Sequence, residues 1–587
     1  MGTKIRVYRP YKDDQKSKGS IFLVLIVIPL ALSAFTHLWN PIGFPYFHGD
    51  EGHYMRRAVH VLDGLGPQEP RNVTWSFEQS YDHPYFGQLF LAGALGIIGY
   101  PDTLDPKISD AHTIEILHLL PRLFMGTLAI VDTFLIYKIA ERRYGRNVAF
   151  IAAILFAVMP MSWLTRRILL DSLFLPFLLT SILFALKIST RAEQKELKRA
   201  VSLNSTNNSE RSHERINGQI RGEGEGQAYN NHVLRKGISS QNMILLLSSG
   251  IFLGLAIFTK VPAITLIPLV GFIVFTNNKK SIRALGLWII PVILIPLMWP
   301  AYAMLNGEFG EWLNGLYWQA AERSDRPLWK SISDLFKIDS VLLLLGISAV
   351  VYASIIKRDS LIILWFVPLV VFLFIVNHSR DIYWIPAIPL FCIAAAVSIV
   401  DLSNRISSEK IRQPILLAAV SAIGIFGLVI TAASVSLNLN ETFFEVYTFV
   451  AAYIANHSID YGNGSQDKSI MMGSNWAQIF SWIPKYIFDN DHDFKTYKRY
   501  IGSTKEPNLP IKEGEKVLLL VDNNDLVRFI LSESTNMYLK QKQLYNETMV
   551  VARFNGSDIQ YGLGNYLHTT VEENPTIDKG IEIRSNY

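Results

Sequence analysis

The sequence predicts a polytopic α-helical membrane protein with about eleven transmembrane helices and a small external C-terminal α/β domain. Three observations predict it. Half of the 587 residues are hydrophobic and only 18% are charged, with a positive mean hydropathy of +0.23, a balance rare in soluble chains of this length. Apolar runs long enough to span a bilayer recur along the chain. Lys and Arg cluster at alternate ends of those runs, as they do in cytoplasmic loops.

The elements follow in order. Residues 1–20 are polar and basic and are expected to be a cytoplasmic tail. The run Ile21–Leu38 leads into "HLWNP" without a small-residue cleavage pattern, so it is a retained span and not a signal peptide. Ten more runs lie near residues 117–139, 148–164, 168–187, 242–259, 262–277, 283–303, 339–356, 361–377, 381–400 and 414–435. The basic stretches "KIAERRYGR", Lys187–Gln241, "NNKKSIR", "KRD" and "NRISSEKIR" fall at alternate ends. All are cytoplasmic if the C-terminus is outside.

One further apolar stretch, Tyr85–Tyr100, is short and rich in Gly and Ala. Counting it as a span would reverse every later loop, so it is predicted to lie at the outer interface. The segment after Asp50 has the same amphipathic character. Tyr54, Ala58, Val61, Leu62 and Leu65 share one helical face, and Arg56, Arg57, His60 and Asp63 the other. Residues 40–116 thus form a large first external loop with two interfacial helices. Residues 188–241 are polar and of low complexity and read as a disordered cytoplasmic loop. Asn306–Lys337 is an outer loop whose aromatics suit the interface.

Residues 21–435 form the transmembrane domain, and the character changes after it. "SIMMGSNW" and "KVLLLVDNNDLVRFIL" read as strand-to-turn-to-helix units and "MVVARFN" as another strand, an external α/β domain over residues 440–587. Sequons at Asn440, Asn456, Asn463, Asn546 and Asn555 suit an external location. A net charge of +5 is too small for a nucleic-acid partner, and one cysteine, Cys392, excludes a disulfide framework and a cysteine metal site.

Ionisable residues near membrane depth are functional candidates. Asp50 and Glu51 stand just beyond the first span. Either Asp50 caps the next helix and Glu51 favours its dipole, or the pair supplies a general base. Tyr54 follows on the same helix. Asp82 and His83 precede the second interfacial helix, where a cap would explain Asp82 but not His83. Lys260 lies where one span leaves the outer face, a place that also suits a snorkelling lysine. Arg380 and Tyr383 begin the tenth span at that face, where an aromatic belt is the bland alternative. Scattered over the sequence, all of these fall on one side of the membrane. Carboxylates beside cations suit transfer chemistry on a lipid phosphate: a base takes a proton and cations neutralise the departing phosphate.

Six motifs in order resemble the integral-membrane GT-C glycosyltransferases over roughly residues 20–400. They are "GDEGHY", "DHPYFGQLFLAGALGIIGY", "RLFMGTLAIVDTFLIYKIAERRYGRNVAFIAAILFAVMP", "RRILLDSLFLPFLL", "FTKVPAI" and "RDIYWIPAIPLF". The likeness is to the branch of protein O-mannosyltransferases and the lipid A aminoarabinose transferase. It implies that Asp50 is the catalytic base with Glu51 beside it. It implies a donor that is a sugar on a polyprenyl phosphate, and places Lys260, Arg380 and Tyr383 around that phosphate. Tyr54, Asp82 and His83 join them as substrate-binding candidates. The aminoarabinose transferase has Glu where Asp82 stands and Lys where His83 stands, and His53 stands where relatives often have arginine. No "WWDYG" is present, against an oligosaccharyltransferase. Metal use varies in this superfamily, so no cofactor is assigned and a divalent metal stays open. The implied partners are the lipid-linked donor, a protein, lipid or glycan acceptor, and membrane lipids. The competing readings are a transporter or lipid flippase, disfavoured because charges gather at one face and no repeat is visible, and a non-catalytic anchor, which leaves the carboxylates unexplained.

Overall fold

A computed structural model describes residues 19–67, 81–101, 104, 111–188, 240–323, 326–458, 468–472, 498–499, 516–522, 546–554 and 581–585. The N-terminal tail and nearly all of the 188–241 loop, both expected to be cytoplasmic, lie outside these residues.

The protein is mostly helical. Among the described residues seven helices are long and apolar enough to cross a membrane, or eight counting the pair Arg146–Val158 and Pro160–Arg166, bent by 69°. Leu25–Leu38, Phe86–Ile97, Val261–Asn277 and Ser360–Val376 are shorter apolar helices. Every apolar run read from the sequence falls on one of these helices. The run near 339 begins at a kink. Asp339 (φ −156°, ψ 83°) breaks Leu328–Tyr352 into two helical pieces. Its carboxylate accepts from Leu342 N at 2.8 Å and from Met161 N at 3.1 Å, so it caps the second piece and ties it to the bent pair.

Burial sorts the helices. The apolar windows of Leu170–Lys187 and Asp381–Asn404 are 72% buried, and that of Glu409–Val435 only 17%. The first two are central and the last faces lipid. Small and hydroxylated residues let the central helices approach. A Cβ on Gly250 would meet Trp288 O at 2.5 Å, and one on Gly254 would meet Pro291 O at 2.6 Å. Ser33 and Thr133 share a 2.8 Å hydrogen bond between helices Leu25–Leu38 and Ile114–Tyr144.

Helix Gly49–Leu62 departs from the amphipathic expectation. Residues Glu51–Val59 are all buried, Arg56 and Arg57 included. Arg56 and Arg57 are thus turned toward other protein segments, Arg57 meeting Asp82, while His60 is half-buried and Asp63 exposed.

The C-terminal region contains helix Glu441–Ser458 and five strands: β1 (Lys468–Met472), β2 (Lys498–Arg499), β3 (Lys516–Asp522), β4 (Met549–Phe554) and β5 (Ile581–Ser585). The order is β2-β1-β3-β5-β4. β1 is parallel to β2 and β3; β5 is antiparallel to β3 and β4. β1, β3 and β4 are the strands read from the sequence. The helices expected after β1 and β3 lie outside the described residues. β2 and β5 were not read, being two residues long and charge-interrupted ("IEIRS"), although β5 alternates in burial.

Asn440 corrects the sequon reading. It is fully buried. Its amide donates to Ile42 O at 2.6 Å and Pro45 O at 3.0 Å, and accepts from Phe47 N at 3.1 Å. It ties the start of the C-terminal region to the first outer loop and has no amide free for a glycan.

Candidate active site

The acidic-pair helix positions the site. Its N-cap is His48, not Asp50. His48 Nδ1 accepts from Asp50 N at 3.2 Å, while His48 N donates to Glu51 Oε1 at 3.0 Å, a reciprocal capping box. Asp50 is thereby released from capping duty.

The adjacent carboxylates are treated differently. Glu51 is 3% exposed at its side chain and Asp50 37%. Arg122 grips Glu51 with two bonds, Nε to Oε2 at 3.1 Å and Nη2 to Oε1 at 2.8 Å, and Ile168 N donates to Oε2 at 3.2 Å. Arg122 Nη1 also donates to Pro41 O and Pro45 O, both at 2.8 Å. Although burial raises a carboxyl pKa, Arg122 outweighs it and holds Glu51 ionised. Glu51, read from the sequence beside Asp50 as catalytic, is occupied as an anchor on both oxygens.

Asp50 faces cations. Arg380 Nη2 lies 2.8 Å from His48 Nε2, and His48 Nδ1 lies 3.7 Å from Asp50 Oδ2. Burial would raise the Asp50 pKa. His48, Arg380 and Lys260 overcome it and hold the carboxyl below the usual carboxylate range. Burial pushes the His48 pKa down to about 4, Asp50 opposing and Arg380 reinforcing. At neutral pH the ring therefore has one lone pair. It can accept from Asp50 N or from Arg380, not from both, which leaves Arg380 short of acceptors. Arg380 Nε, also buried, has no hydrogen-bond partner among the described residues.

Lys260 does not snorkel. It is 3% exposed and ion-paired with Asp171, and its ammonium lies 4.8 Å above the Tyr383 ring. The Tyr383 hydroxyl accepts from Arg323 Nη1 at 2.7 Å. Asp82 pairs with the wholly buried Arg57 at 2.8 Å, with His53 Nε2 at 3.7 Å and His83 Nε2 at 3.9 Å. The His83 ring lies 6.2 Å from Tyr54. Its pKa falls to about 3, chiefly through burial, with Asp82 opposing and Lys260 and Arg57 reinforcing, so it is neutral at physiological pH. Burial first, then Asp50, Asp171 and Asp82, raise Tyr54 and keep its hydroxyl protonated.

All eight sequence candidates thus lie in one network. Four of its members were poorly marked. Arg57, on the face opposite Tyr54, and Arg323, in an aromatic loop, carried no signal beyond their charge. Arg122 and Asp171 are charges near helix ends, a weak signal that singled neither out. Arg323 follows a π-turn at Trp318–Glu322, a feature frequent at functional sites.

The arrangement disfavours a divalent cation. Among the described residues no group of three or more His, Cys, Asp or Glu is arranged to hold a metal ion. The carboxylates present face Arg122, Arg57, Lys260 and Arg380, so an added cation would be repelled. No step is routed through a metal.

The family model described as dolichyl-phosphate-mannose-protein mannosyltransferase matches residues 119–202. The match falls on the GT-C resemblance. It spans "RLFMGTLAIVDTFLIYKIAERRYGRNVAFIAAILFAVMP" and "RRILLDSLFLPFLL", which include Arg122 and Asp171. No curated protein matches the chain. Among solved structures, ArnT from Cupriavidus metallidurans bound to undecaprenyl phosphate aligns at 13% identity over 97% of this chain and 99% of its own, with a TM-score of 0.49. The archaeal oligosaccharyltransferase AglB from Archaeoglobus fulgidus, with an inhibitory peptide and a dolichol-phosphate, aligns at 10% identity over 78% of this chain, with a TM-score of 0.47. A complex of the Archaeoglobus fulgidus oligosaccharyltransferase with Zn and sulfate aligns at 10% identity over 78%, with a TM-score of 0.44. This chain spans 63% and 61% of the length of those two archaeal chains.

Proposed function

We propose that the protein is an inverting glycosyltransferase that moves a sugar from a polyprenyl-phosphate donor to an acceptor at the external face of the membrane. What carries this reading is the contrast at Asp50. It is an ionised carboxylate with no capping or anchoring task, open to approach, and set beside an arginine with an unpaired donor.

The chemistry follows from the charges. Arg380, with Lys260 and the Tyr383 hydroxyl nearby, receives the donor phosphate. A carboxylate held at low pKa is a weak base at rest. Once the phosphate occupies Arg380 and Lys260, their field on Asp50 falls and its proton affinity rises. Asp50 then takes the proton of the acceptor hydroxyl. The acceptor oxygen forms its bond to the anomeric carbon from the face opposite the phosphate. The carbon–oxygen bond to phosphate breaks, and the leaving phosphate keeps the electron pair against Arg380 and Lys260. Neutral His83, protonated Tyr54 and the Asp82–Arg57 pair form the polar wall of the sugar side.

The same reading sets eleven spans, with the three shorter apolar helices Leu25–Leu38, Val261–Asn277 and Ser360–Val376 among them. It places the N-terminus in the cytoplasm and the domain of residues 440–587 outside a cell membrane. Cys392 is buried, so a cysteine introduced at Ser212 or Ser557 gives a clean signal with an impermeant reagent in intact cells. Labelling at Ser557 alone is expected; labelling at Ser212 alone refutes the topology. The activity is tested with purified protein and polyprenyl-phosphate-linked sugars. Acceptor-dependent release of polyprenyl phosphate is expected, and its absence across mannosyl, glucosyl and aminoarabinosyl donors sinks the reading. Mass spectrometry of surface glycans with and without the gene identifies sugar and acceptor.

A further inference from the structure

An apolar groove of about 430 Å³ runs between helices Val261–Asn277 and Ile282–Leu294, lined by Ile267, Phe272, Leu285, Gly286, Trp288 and Ile289 among others. Lys260 stands at one end of this helix pair. The turn Asn278–Ser281 closes the other.

Three observations at that far end point to an anionic ligand with an apolar tail. First, Lys279 and Lys280 are exposed and both hold left-handed backbone, φ 56° and 62°. Glycine or asparagine takes that conformation more easily, and each strained residue costs on the order of 1 kcal/mol. Arg283 is exposed just beyond. Second, no acidic residue stands between Lys260 and Glu308, and no ion pair holds these three cations among the described residues. Third, the groove beside these cations is lined by apolar side chains and Gly286, a surface that takes hydrocarbon and offers a headgroup nothing.

We propose that this groove is a specific site for one anionic glycerophospholipid of the leaflet at that end of the helices. An acyl chain lies along the groove, and Lys279, Lys280 and Arg283 hold the phosphate. A neutral lipid fills the groove but leaves three cations unmatched. The chain's own segment 189–239 is net basic and is repelled by them. Clustered basic residues of this kind attract anionic headgroups.

The test is native mass spectrometry of the full chain released from bilayers of mixed phosphatidylglycerol and phosphatidylcholine. One phosphatidylglycerol is expected to stay bound with a preference on the order of tenfold or more, given about 1 kcal/mol for each basic residue near the headgroup. Lys279→Gln, Lys280→Gln and Arg283→Gln together should abolish the preference. Gly286→Leu should block retention by filling the groove; a Cβ there meets nothing within 4 Å, so the variant can fold. Donor hydrolysis and transfer should survive in both. Equal retention of phosphatidylcholine by the wild type, or preference kept in the charge variant, overturns the proposal. So does lipid binding that strengthens when residues 189–239 are replaced by a Gly-Ser linker, since the segment would then be the occupant.

Discussion

Two sides of one short helix behave as different regions. On the closed side Glu51, Arg122, Ile168 N, Pro41 O, Pro45 O and Asn440 satisfy one another. On the open side Lys260 is paired with Asp171, while Arg380 has more donors than neutral His48 can meet and a buried Nε with no hydrogen-bond partner among the described residues. Adjacent helical residues point about 100° apart, so two neighbouring carboxylates enter unlike surroundings. The closed side sets the geometry, and the open side is left with unmet electrostatic demand that a phosphate can satisfy.

The comparison is broken most directly at Asp50. Asp50→Asn removes the base and leaves the His48 cap in place. Transfer should fall about 10²–10⁴-fold with an unchanged melting temperature. Wild-type turnover would show that the open side does no chemistry. Glu51→Gln addresses the closed side. Removing one partner of a buried ion pair costs about 3–5 kcal/mol, so yield and thermal stability should drop before activity per folded molecule does. If instead stability holds and the specific rate collapses, the two carboxylates have exchanged roles.

Arg380→Ala should weaken donor use by about 1.5–3 kcal/mol, the value of a charged hydrogen bond, and lysine should restore part of it because the planar fork is missing. Donor kinetics that do not move would take Arg380 out of the phosphate site. Asn440→Ala should cost about 1–3 kcal/mol by stranding buried carbonyls, with no change in glycan occupancy because none is carried there. A glycopeptide containing Asn440 would refute this placement. The smallest effect expected is a pH dependence. His83, at about 3, and His48, at about 4, lie below the unfolded value near 6.5, so the unfolded chain binds protons first. Their stability contribution is full above pH 6.5 and is lost as pH falls toward 4. The melting temperature should decline between pH 7 and pH 5, less steeply in His83→Gln. Equal slopes would mean His83 is solvated in the folded protein.

Much of this was legible in the chain. The helices of the membrane domain coincide with apolar runs because hydrocarbon demands long apolar segments with internally bonded backbone. The kink at Asp339 falls where the apolar run begins, since a carboxylate that caps also ends the polar stretch. The site residues were legible as charges that lipid would not tolerate. The amphipathic pattern set Arg56 and Arg57 on the face opposite Tyr54 but did not show that both would be buried. Periodicity shows that a face is polar, but not whether water or another protein segment meets it.

The sequence by itself determined that the chain is built of membrane-type apolar helices, where those helices lie and which ionisable residues need an explanation. Only the tertiary structure decided which carboxylate is anchor and which is free, and that Asn440 is a strut and not a glycan site. The reason is physical. The partners of Glu51, Lys260, His48 and Asn440 lie 71, 89, 332 and up to 398 residues away. The role of a charge is set by what it faces once water has been excluded, and no local pattern records a pairing over that distance.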